Sequence, residues 1–432
     1  MNLNRCKFVT KLPSLLCAPN LRDLDVSGCK NLIKVDESFG HLDKLETWNL
    51  EGCSKLEILP SAPNLKGLYM SDCKNLIKVD ESFGHLDKLE TWNLRGCSKL
   101  EILPSRLQLR SLKHFNLSYC ERLEKFPAIC APNLRDLDVS GCKNLIKVDE
   151  SFGHLDKLET WNLTGCSKLE ILPSGLMLRS LKNFKLSYCE RLEKFPAICA
   201  PNLASLDIAF CKNLIEVHES VGDLHKLKRW SLKSCIKLEI LPSRLQLRSL
   251  QMLFLNDCRR LEKFPDIHPE MKYLQYLFMR NSGIREWPSS LTHLTKGLLS
   301  LTLSNIEALG NFLRSPNKLQ LLEEIDIPTA NSFDGLEDLS LDSCDGDINE
   351  LDFQYFPRLS HLSISNSSII SITQRISGLA RLQSIEINNC KQLREIPTLP
   401  HSVRHVHVYK CPSLDPSRLL IRVRSLSLSL YI

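Results

Sequence analysis

The chain lacks the sequence features that most function classes require. Its 432 residues contain no G-x-x-x-x-G-K-[ST] phosphate loop, so nucleotide switching has no site here. No C-x-x-C occurs, and the closest cysteines, such as Cys120 and Cys130, lie ten residues apart, which argues against zinc. There is no nucleophile elbow and no triad-like context. We therefore expect neither an enzyme nor a cofactor.

Long apolar runs and a strong charge imbalance are missing too. The start, MNLNRCKFVTKLPSLLCAPN, has Lys11 and Pro13 where a signal peptide needs an uninterrupted apolar segment. No other stretch approaches the roughly 20 apolar residues of a membrane span. The formal net charge of +6 is small for this length and does not require nucleic acid or an acidic membrane. We predict a soluble chain whose partners include neither nucleic acid nor a membrane.

Cysteine, in contrast, is abundant, and its spacing defines a repeat. Fifteen of the 18 cysteines fall at one place in the phrase L-x-x-L-x-L-x-x-C-x-x-L, which occurs for example at Leu21, Leu24, Val26, Cys29 and Leu32. From Cys6 to Cys258 the intervals are 20 to 24 residues. Repeats of this length and frame are the leucine-rich-repeat signature.

The repeat predicts an α/β fold class. In L-x-L the apolar side chains alternate, so they share one face of a short strand, and stacked strands make a parallel sheet. We predict a leucine-rich-repeat solenoid (horseshoe) of about 17–19 repeats, with the sheet on the concave face and mostly irregular convex segments. The phrase VDESFGHLDKL is expected to form a helical turn and FPAICAPNL to be extended. Four tryptophans occupy the middle leucine position and are expected in the core: Trp48, Trp92, Trp161 and Trp230.

The predicted organisation is one leucine-rich-repeat domain over residues 1–432. Residues 1–270 are regular repeats of 20–24 residues with a 69-residue triplet period, because Cys97, Cys166 and Cys235 are each 69 residues apart. Residues 271–414 are more divergent, with an irregular segment near 311–335. The tail, 415–432, ends in a period-two pattern that is either one more strand or a replacement of the native continuation. Both ends lack a polar cap, which suggests a fragment of a longer receptor.

One 33-residue block occurs three times with a single variable position. The copies are Cys29–Ser61, Cys73–Ser105 and Cys142–Ser174, and they differ only at Glu51, Arg95 and Thr164. Each of these residues follows the last leucine of its strand, so its side chain is predicted to point out of the concave face. A fixed core would then display an acid, a base and a hydroxyl on one recognition surface. Young duplication with chance or gene conversion stays open as the alternative.

The same frame predicts further residues on the concave, protein-binding face. In a second pair of copies, two of four differences, His114/Asn183 and Asn116/Lys185, fall at outward strand positions. Exposed aromatic side chains can serve as binding anchors, and stacking between neighbouring repeats is an equally good explanation for each of them. The full candidate set is Glu51, Arg95, Thr164, Lys233, His114, Asn116, Tyr119, Asn183, Lys185, Tyr188, Lys228, Arg229, Phe254, Phe278, Arg280, His405, His407 and Tyr409.

The cysteines and histidines have structural explanations that outweigh metal binding. Identical positions in neighbouring repeats point side by side into the core, so the ladder cysteines are expected to be buried reduced thiols. Cys17, Cys130 and Cys199, in the CAPNL turns, are the candidates for partial exposure. His405 and His407 share one strand face, and a polar recognition face is favoured over a metal site there, because no carboxylate or thiol completes the ligand set.

Several phrases resemble one protein family. NLSYCERLEKFP, NLEGCSKLEILPS and LREIPTLPHSVRHVHVYKCPSL look like the leucine-rich-repeat region of plant intracellular disease resistance proteins of the TIR–NB-ARC–LRR type, over nearly the whole chain. The resemblance implies a non-catalytic recognition scaffold in the cytoplasm, or in cytoplasm and nucleus. Its implied partners are a pathogen effector, a guarded host protein or a nucleotide-binding switch domain. No TIR-like or nucleotide-binding segment is present, so signalling by this chain alone is not expected.

Other readings stay open. A truncated receptor fragment without independent signalling would carry the same repeats. An adaptor of the F-box type for ubiquitin ligases also has cysteine-rich repeats, but its units are longer with a regular helix, and no F-box precedes these.

Overall fold

The computed structural model describes residues 1–314, 332–344, 351–415 and 427–431. The chain divides into two compact units, Met1–Leu224 and His225–Ile432, where the sequence predicted one domain. The repeat frame runs through the division without a break, so no change of composition marks it in the sequence.

The first unit contains nine strands of a parallel sheet. Each strand pairs in register with the next one along the chain, and the middle residue of each triplet is buried. The strands are Asp23–Asp25, Thr47–Asn49, Gly67–Tyr69, Thr91–Asn93, His114–Asn116, Asp136–Asp138, Thr160–Asn162, Asn183–Lys185 and Ser205–Asp207.

The described part of the second unit also contains nine parallel strands of the main sheet, and they lengthen toward its end. They are Arg229–Ser231, Met252–Phe254, Tyr276–Phe278, Ser300–Leu303, Asp338–Asp342, His361–Ser365, Ser384–Asn388, His405–Tyr409 and Ser427–Tyr431. The last of them pairs in parallel with His405–Tyr409, so the tail contributes one more strand. The leucine-rich-repeat fold class is therefore confirmed.

The core is built by the repeated apolar positions. All four predicted tryptophans are 0% exposed. Trp161 stacks between aromatic rings of its own and the following repeat, with ring centroids 6.2 Å from Phe152 and 4.9 Å from Phe184. The same position in successive strands recurs at the strand spacing of about 4.8 Å, which places like side chains in van der Waals contact.

Outside the main sheet the backbone forms short 3₁₀ helices and two-stranded parallel ladders. The phrase DESFGH gives identical helices because its Asp, for example Asp149, accepts a hydrogen bond from the backbone N–H two residues later. The 3₁₀ helices are Glu37–His41, Glu81–His85, Glu150–His154, Glu219–Asp223, Ser289–His293, Phe353–Tyr355 and Gln374–Gly378. The ladders pair Lys11–Leu12 with Lys34–Val35, Arg106–Gln108 with Ala128–Cys130, Gly175–Met177 with Ala197–Cys199, Lys194–Phe195 with Glu216–Val217 and Arg244–Leu245 with Asp266–Ile267. The expected helical turn and extended segment are both present.

The segment near 311–335, predicted to be irregular, begins with helical residues. An α-helix spans Ile306–Arg314, so residues 311–314 are helical where the sequence predicted irregular structure. Its leucines and phenylalanine, Leu309, Phe312 and Leu313, are buried, which gives this short helix an apolar side. Residues 315–331 of the predicted segment lie outside the described residues. No helix in the described part of the chain combines the length and the hydropathy needed to cross a membrane.

Candidate recognition surface

In the strands of the main sheet, buried apolar residues alternate with residues that face away from the core. We call these outward residues the sheet face, and we call the two turn residues that precede each ladder cysteine position, such as Glu51 and Gly52, the turn edge. The hydrogen bonds between repeats continue through the turn edge, where the Gly28 N–H donates to the Glu51 carbonyl at 2.6 Å. Side chains at equivalent turn positions therefore form regular rows within each unit.

Most of the candidate residues lie on the sheet face. All of those in strands are exposed or half-buried: His114, Asn116, Asn183, Lys185, Arg229, Phe254, Phe278, His405, His407 and Tyr409. Lys228 directly precedes its strand and is exposed. His114 Nδ1 lies 2.8 Å from a carboxylate oxygen of Asp136 on the neighbouring strand, so this histidine is oriented by its neighbour.

The variable position of the triplicated block lies at the turn edge, not in the strand. Glu51, Arg95 and Thr164 each occupy the turn that follows the strand, as do Lys233 and Arg280. The strand ends two residues earlier because the chain must turn, and the residue after Glu51, Gly52, has a φ of 72°. The side chain of Glu51 is exposed, as is that of Arg95, while that of Thr164 is half-buried. These three side chains therefore lie at the edge of the sheet, with Thr164 the least exposed of them.

Two aromatic candidates are also placed differently from the prediction. Tyr119 and Tyr188 were expected in strands, yet both occupy the second turn-edge position with φ of 61° and 65°. Five other repeats have glycine there, because this left-handed conformation places a Cβ close to the following carbonyl oxygen. The Tyr188 ring stacks on that of Phe210, with centroids 4.5 Å apart and an angle of 4°. Both tyrosines stay about half exposed, at 51% and 47%.

We expect Tyr188→Gly to change the free energy of unfolding by less than about 1 kcal/mol. Relief of the left-handed strain, about 1–2 kcal/mol, offsets the lost ring stacking, about 0.5–1.5 kcal/mol. Urea denaturation followed by circular dichroism measures the difference. A loss above about 2 kcal/mol would instead show that this aromatic pair is required for stability.

The cysteine ladder is structural. Cys142 is 0% exposed and its thiol donates to the Leu117 carbonyl of the preceding repeat at 3.2 Å, a geometry shared by most ladder cysteines. Burial raises the pKa of the Cys142 thiol to about 12, so it is protonated and unreactive at neutral pH. Cys17, Cys130 and Cys199 are exposed, as the sequence predicted. Within the described ranges, no group of three or more His, Cys, Asp or Glu side chains is arranged to hold a metal ion.

A buried carboxylate in the second unit was missed by the sequence. Asp342 ends its strand with a side chain only 1% exposed, and its oxygens accept hydrogen bonds from Ser343 (2.8 Å), Ser365 (2.7 Å) and Asn366 (2.9 Å). The Arg280 Nε lies 2.6 Å from the same carboxylate. Burial alone would raise the pKa of Asp342, but these hydrogen bonds and the guanidinium outweigh it and lower that pKa below its usual 3.8.

An aromatic row lies on the sheet face of the same unit. The Phe254 and Phe278 rings stack with centroids 4.9 Å apart at 19°, and Tyr276 lies 6.4 Å from Phe278. The Arg229 guanidinium lies over Phe254 at 4.3 Å from the ring centroid. Phe254 and Phe278 were both candidates. Their rings stack between neighbouring repeats and are also partly displayed on the surface.

Known proteins resemble this chain in sequence and in fold. It is 31% identical over 213 residues to Protein SUPPRESSOR OF npr1-1, CONSTITUTIVE 1 of Arabidopsis thaliana, over 44% of this chain and 14% of that protein. It is 29% identical over 294 residues to TMV resistance protein N of Nicotiana glutinosa, over 54% and 26%. Disease resistance protein RPP5 of Arabidopsis thaliana is 29% identical over 49% of this chain and 16% of its own length. No protein-family model matches the chain.

The fold comparison agrees. A solved leucine-rich-repeat protein of Leptospira interrogans has a TM-score of 0.51 at 19% identity, covering 100% of this chain and 95% of that one. The sequence relatives are disease resistance proteins of the TIR–nucleotide-binding–LRR class, which confirms the predicted resemblance. This chain spans only 14% to 26% of the length of the three relatives named above.

Proposed function

We propose that this leucine-rich-repeat chain, similar to part of plant disease resistance proteins, is the protein-recognition part of an intracellular immune receptor. It binds a protein ligand, a pathogen effector or a host protein altered by one, through the sheet face and the turn edge. The binding is non-catalytic and takes place inside the cell. The receptor role, the protein ligand and the place of binding are all proposed from similarity to longer relatives, of which this chain spans 14% and 26%.

The observation that supports the proposal is the position of the differences between near-identical copies. The three 33-residue blocks differ only at the turn edge, at Glu51, Arg95 and Thr164. The copies 105–134 and 174–203 differ at four positions, and all of them are exposed or half-buried: Arg106/Gly175, Gln108/Met177, His114/Asn183 and Asn116/Lys185. The buried residues are unchanged, so duplication has altered the display and preserved the core.

The geometry suits recognition by many weak contacts around a few anchors. Parallel strands about 4.8 Å apart hold the backbone of the outward residues in rows, so the backbone loses little conformational freedom on binding. Exposed or half-buried aromatic and arginine side chains, the residue types enriched in binding hot spots, occur in those rows at Tyr119, Tyr188, Phe254 and Arg280.

The test is binding of the full chain to a panel of individually purified effectors from plant pathogens and their host targets. For a ligand found there, a triple charge reversal, Arg95→Glu, Lys185→Glu and Lys233→Glu, is expected to weaken binding at least tenfold. That factor corresponds to about 1.4 kcal/mol. Biolayer interferometry gives the dissociation constants.

A matched control reverses the same charge elsewhere. Lys34, Lys125 and Lys147 are exposed lysines in the ladders and bridges outside the main sheet. Their triple change to glutamate is expected to leave the dissociation constant within about twofold. Equal losses for both triple variants would contradict binding through the sheet face. Absence of any protein ligand across the panel would favour a fragment without a recognition role.

A further inference from the structure

We propose that the second unit carries an anchor site for an acidic protein segment with apolar side chains. The site is the strip formed by Arg229, Phe254, Phe278 and Arg280, which we call the aromatic–arginine strip. This inference rests on the proposed function, because it names the partner chemistry for one part of the recognition surface. It commits to a protein occupant of stated charge and excludes nucleic acid.

The strip is continuous across three neighbouring strands. Arg229, Phe254 and Phe278 contact one another in sequence, at 4.3 Å from guanidinium to ring and 4.9 Å between rings. These distances are close to the strand spacing of about 4.8 Å, so the stack follows from placing flat side chains at outward positions of adjacent strands. Both rings are half-buried, so part of each stays accessible on the sheet face. An apolar side chain of a partner would contact this accessible part.

The charge of the strip and its surroundings is positive. Lys228, Arg229, Lys233 and Arg280 are all exposed on the same three repeats. Two carboxylates lie near them and both are engaged. Asp257 accepts hydrogen bonds from Asn281 at 3.1 Å and from Ser234 at 3.3 Å, and Asp342 contacts Arg280. Four cations against two engaged carboxylates leave a positive field that favours carboxylates of a partner.

The Arg280 guanidinium is held in place by Asp342. This carboxylate is 1% exposed and takes its other hydrogen bonds from side chains of its own and the following repeat, so it provides a fixed support. The Arg280 side chain is 50% exposed while its Nε contacts Asp342, so part of the guanidinium is accessible to a ligand. A guanidinium that is already oriented loses less entropy when it forms a paired hydrogen bond with a carboxylate. Asp342 is therefore a positioning residue for this site.

Nucleic acid is disfavoured by the same stack. Single-stranded nucleic acids bind aromatic side chains by base stacking on an open ring face. One face of Phe254 is covered by Arg229 and the other by Phe278. Phe254 therefore has no open ring face for a base, while the accessible part of the strip can still contact apolar side chains.

The experiment uses the full chain and three fluorescein-labelled probes in anisotropy titrations. The first is a 12-residue peptide of alternating Asp and Leu, the second its Asn and Leu counterpart, and the third a 12-nucleotide oligo-dT. We expect the acidic peptide to bind at least tenfold more tightly than either of the others. Tighter binding of the oligo-dT, or equal binding of the neutral peptide, would overturn the inference.

Two variants locate the site. Arg280→Gln is expected to weaken the acidic peptide about tenfold and leave the neutral peptide unchanged, and Arg280→Lys is expected not to restore binding, since a point charge does not reproduce the fixed fork. Lys125→Gln, at an exposed lysine outside the main sheet, is the control and is expected to have no effect. Thermal unfolding of each variant verifies that it is folded. An Arg280→Gln variant that binds the acidic peptide normally would place the site elsewhere and overturn the inference.

The outcome is separable from that of the proposed function. A protein ligand that depends on Arg95, Lys185 and Lys233, together with no binding of the acidic peptide, overturns the inference alone. Peptide binding that depends on Arg280, with no ligand in the effector panel, supports the inference and contradicts the broader proposal.

Discussion

Trp161→Ala is expected to lower the free energy of unfolding of the chain by about 3–5 kcal/mol. The indole is 0% exposed and stacks on Phe184 at 4.9 Å and 8°, so truncation removes contacts in two repeats at once and leaves a cavity. Its Nε1 has no hydrogen-bond partner among the described residues, so no polar bond is lost to complicate the result. Chemical denaturation of the purified variant measures the loss.

A control for this variant lies ten residues along the same repeat. Ile171 is 59% exposed in an isolated β-bridge outside the main sheet, and Ile171→Ala is expected to cost less than about 0.5 kcal/mol. Trp48, Trp92 and Trp230 occupy the equivalent buried position and should behave like Trp161. A cost below about 1 kcal/mol at Trp161 would show that the tryptophan row is not the core of the repeats.

Asp342→Ala is expected to cost about 2–3 kcal/mol, because it leaves the hydrogen-bond donors of Ser343, Ser365 and Asn366 without their charged acceptor. The Arg280 guanidinium is half exposed and can be solvated, so it adds little to this loss. Asp342→Asn is the matched variant that keeps the shape and removes the charge. Denaturation at pH 7 gives both values.

The stability difference between the parent chain and Asp342→Asn depends on pH with a defined sign. The pKa of Asp342 is lowered in the folded chain, so its carboxylate stabilises the fold above the usual value of 3.8 and loses that contribution as the pH falls through the lowered pKa. The stability gap between the parent chain and Asp342→Asn should be constant from about pH 5 to 7 and shrink below about pH 4. A gap that widened on acidification would contradict the arrangement around Asp342.

The periodic features of the fold were predictable from the sequence. Leucine, tryptophan and cysteine recur at fixed intervals along the chain. A single repeat therefore determines which residues are buried, as at Trp161 and Cys142. The helical turn in DESFGH was predictable because the capping Asp149 is local in sequence. These predictions depend on neighbours in the chain or on the same position in the next repeat.

Features that depend on backbone conformation or on distant repeats were not predictable. The phrase NLSYC by itself does not show that Tyr119 adopts a left-handed turn. The usable signal was the glycine at the same place in other repeats. The contact between Arg280 and Asp342 skips the intervening strand Ser300–Leu303, so the repeat frame gives no reason to pair them. The same left-handed turn ends each strand two residues before Glu51 and its equivalents, so these residues lie in the turn and not in the strand.

The central claim is that a fixed core displays different side chains along one recognition surface. Replacing Glu51 and Arg95 by threonine, as at Thr164, makes the three blocks identical and leaves every buried residue unchanged. The most direct measurement is the dissociation constant of this double variant for a protein ligand of the chain. We predict at least tenfold weaker binding, with a free energy of unfolding within about 1 kcal/mol of the parent. Unchanged affinity would contradict the account.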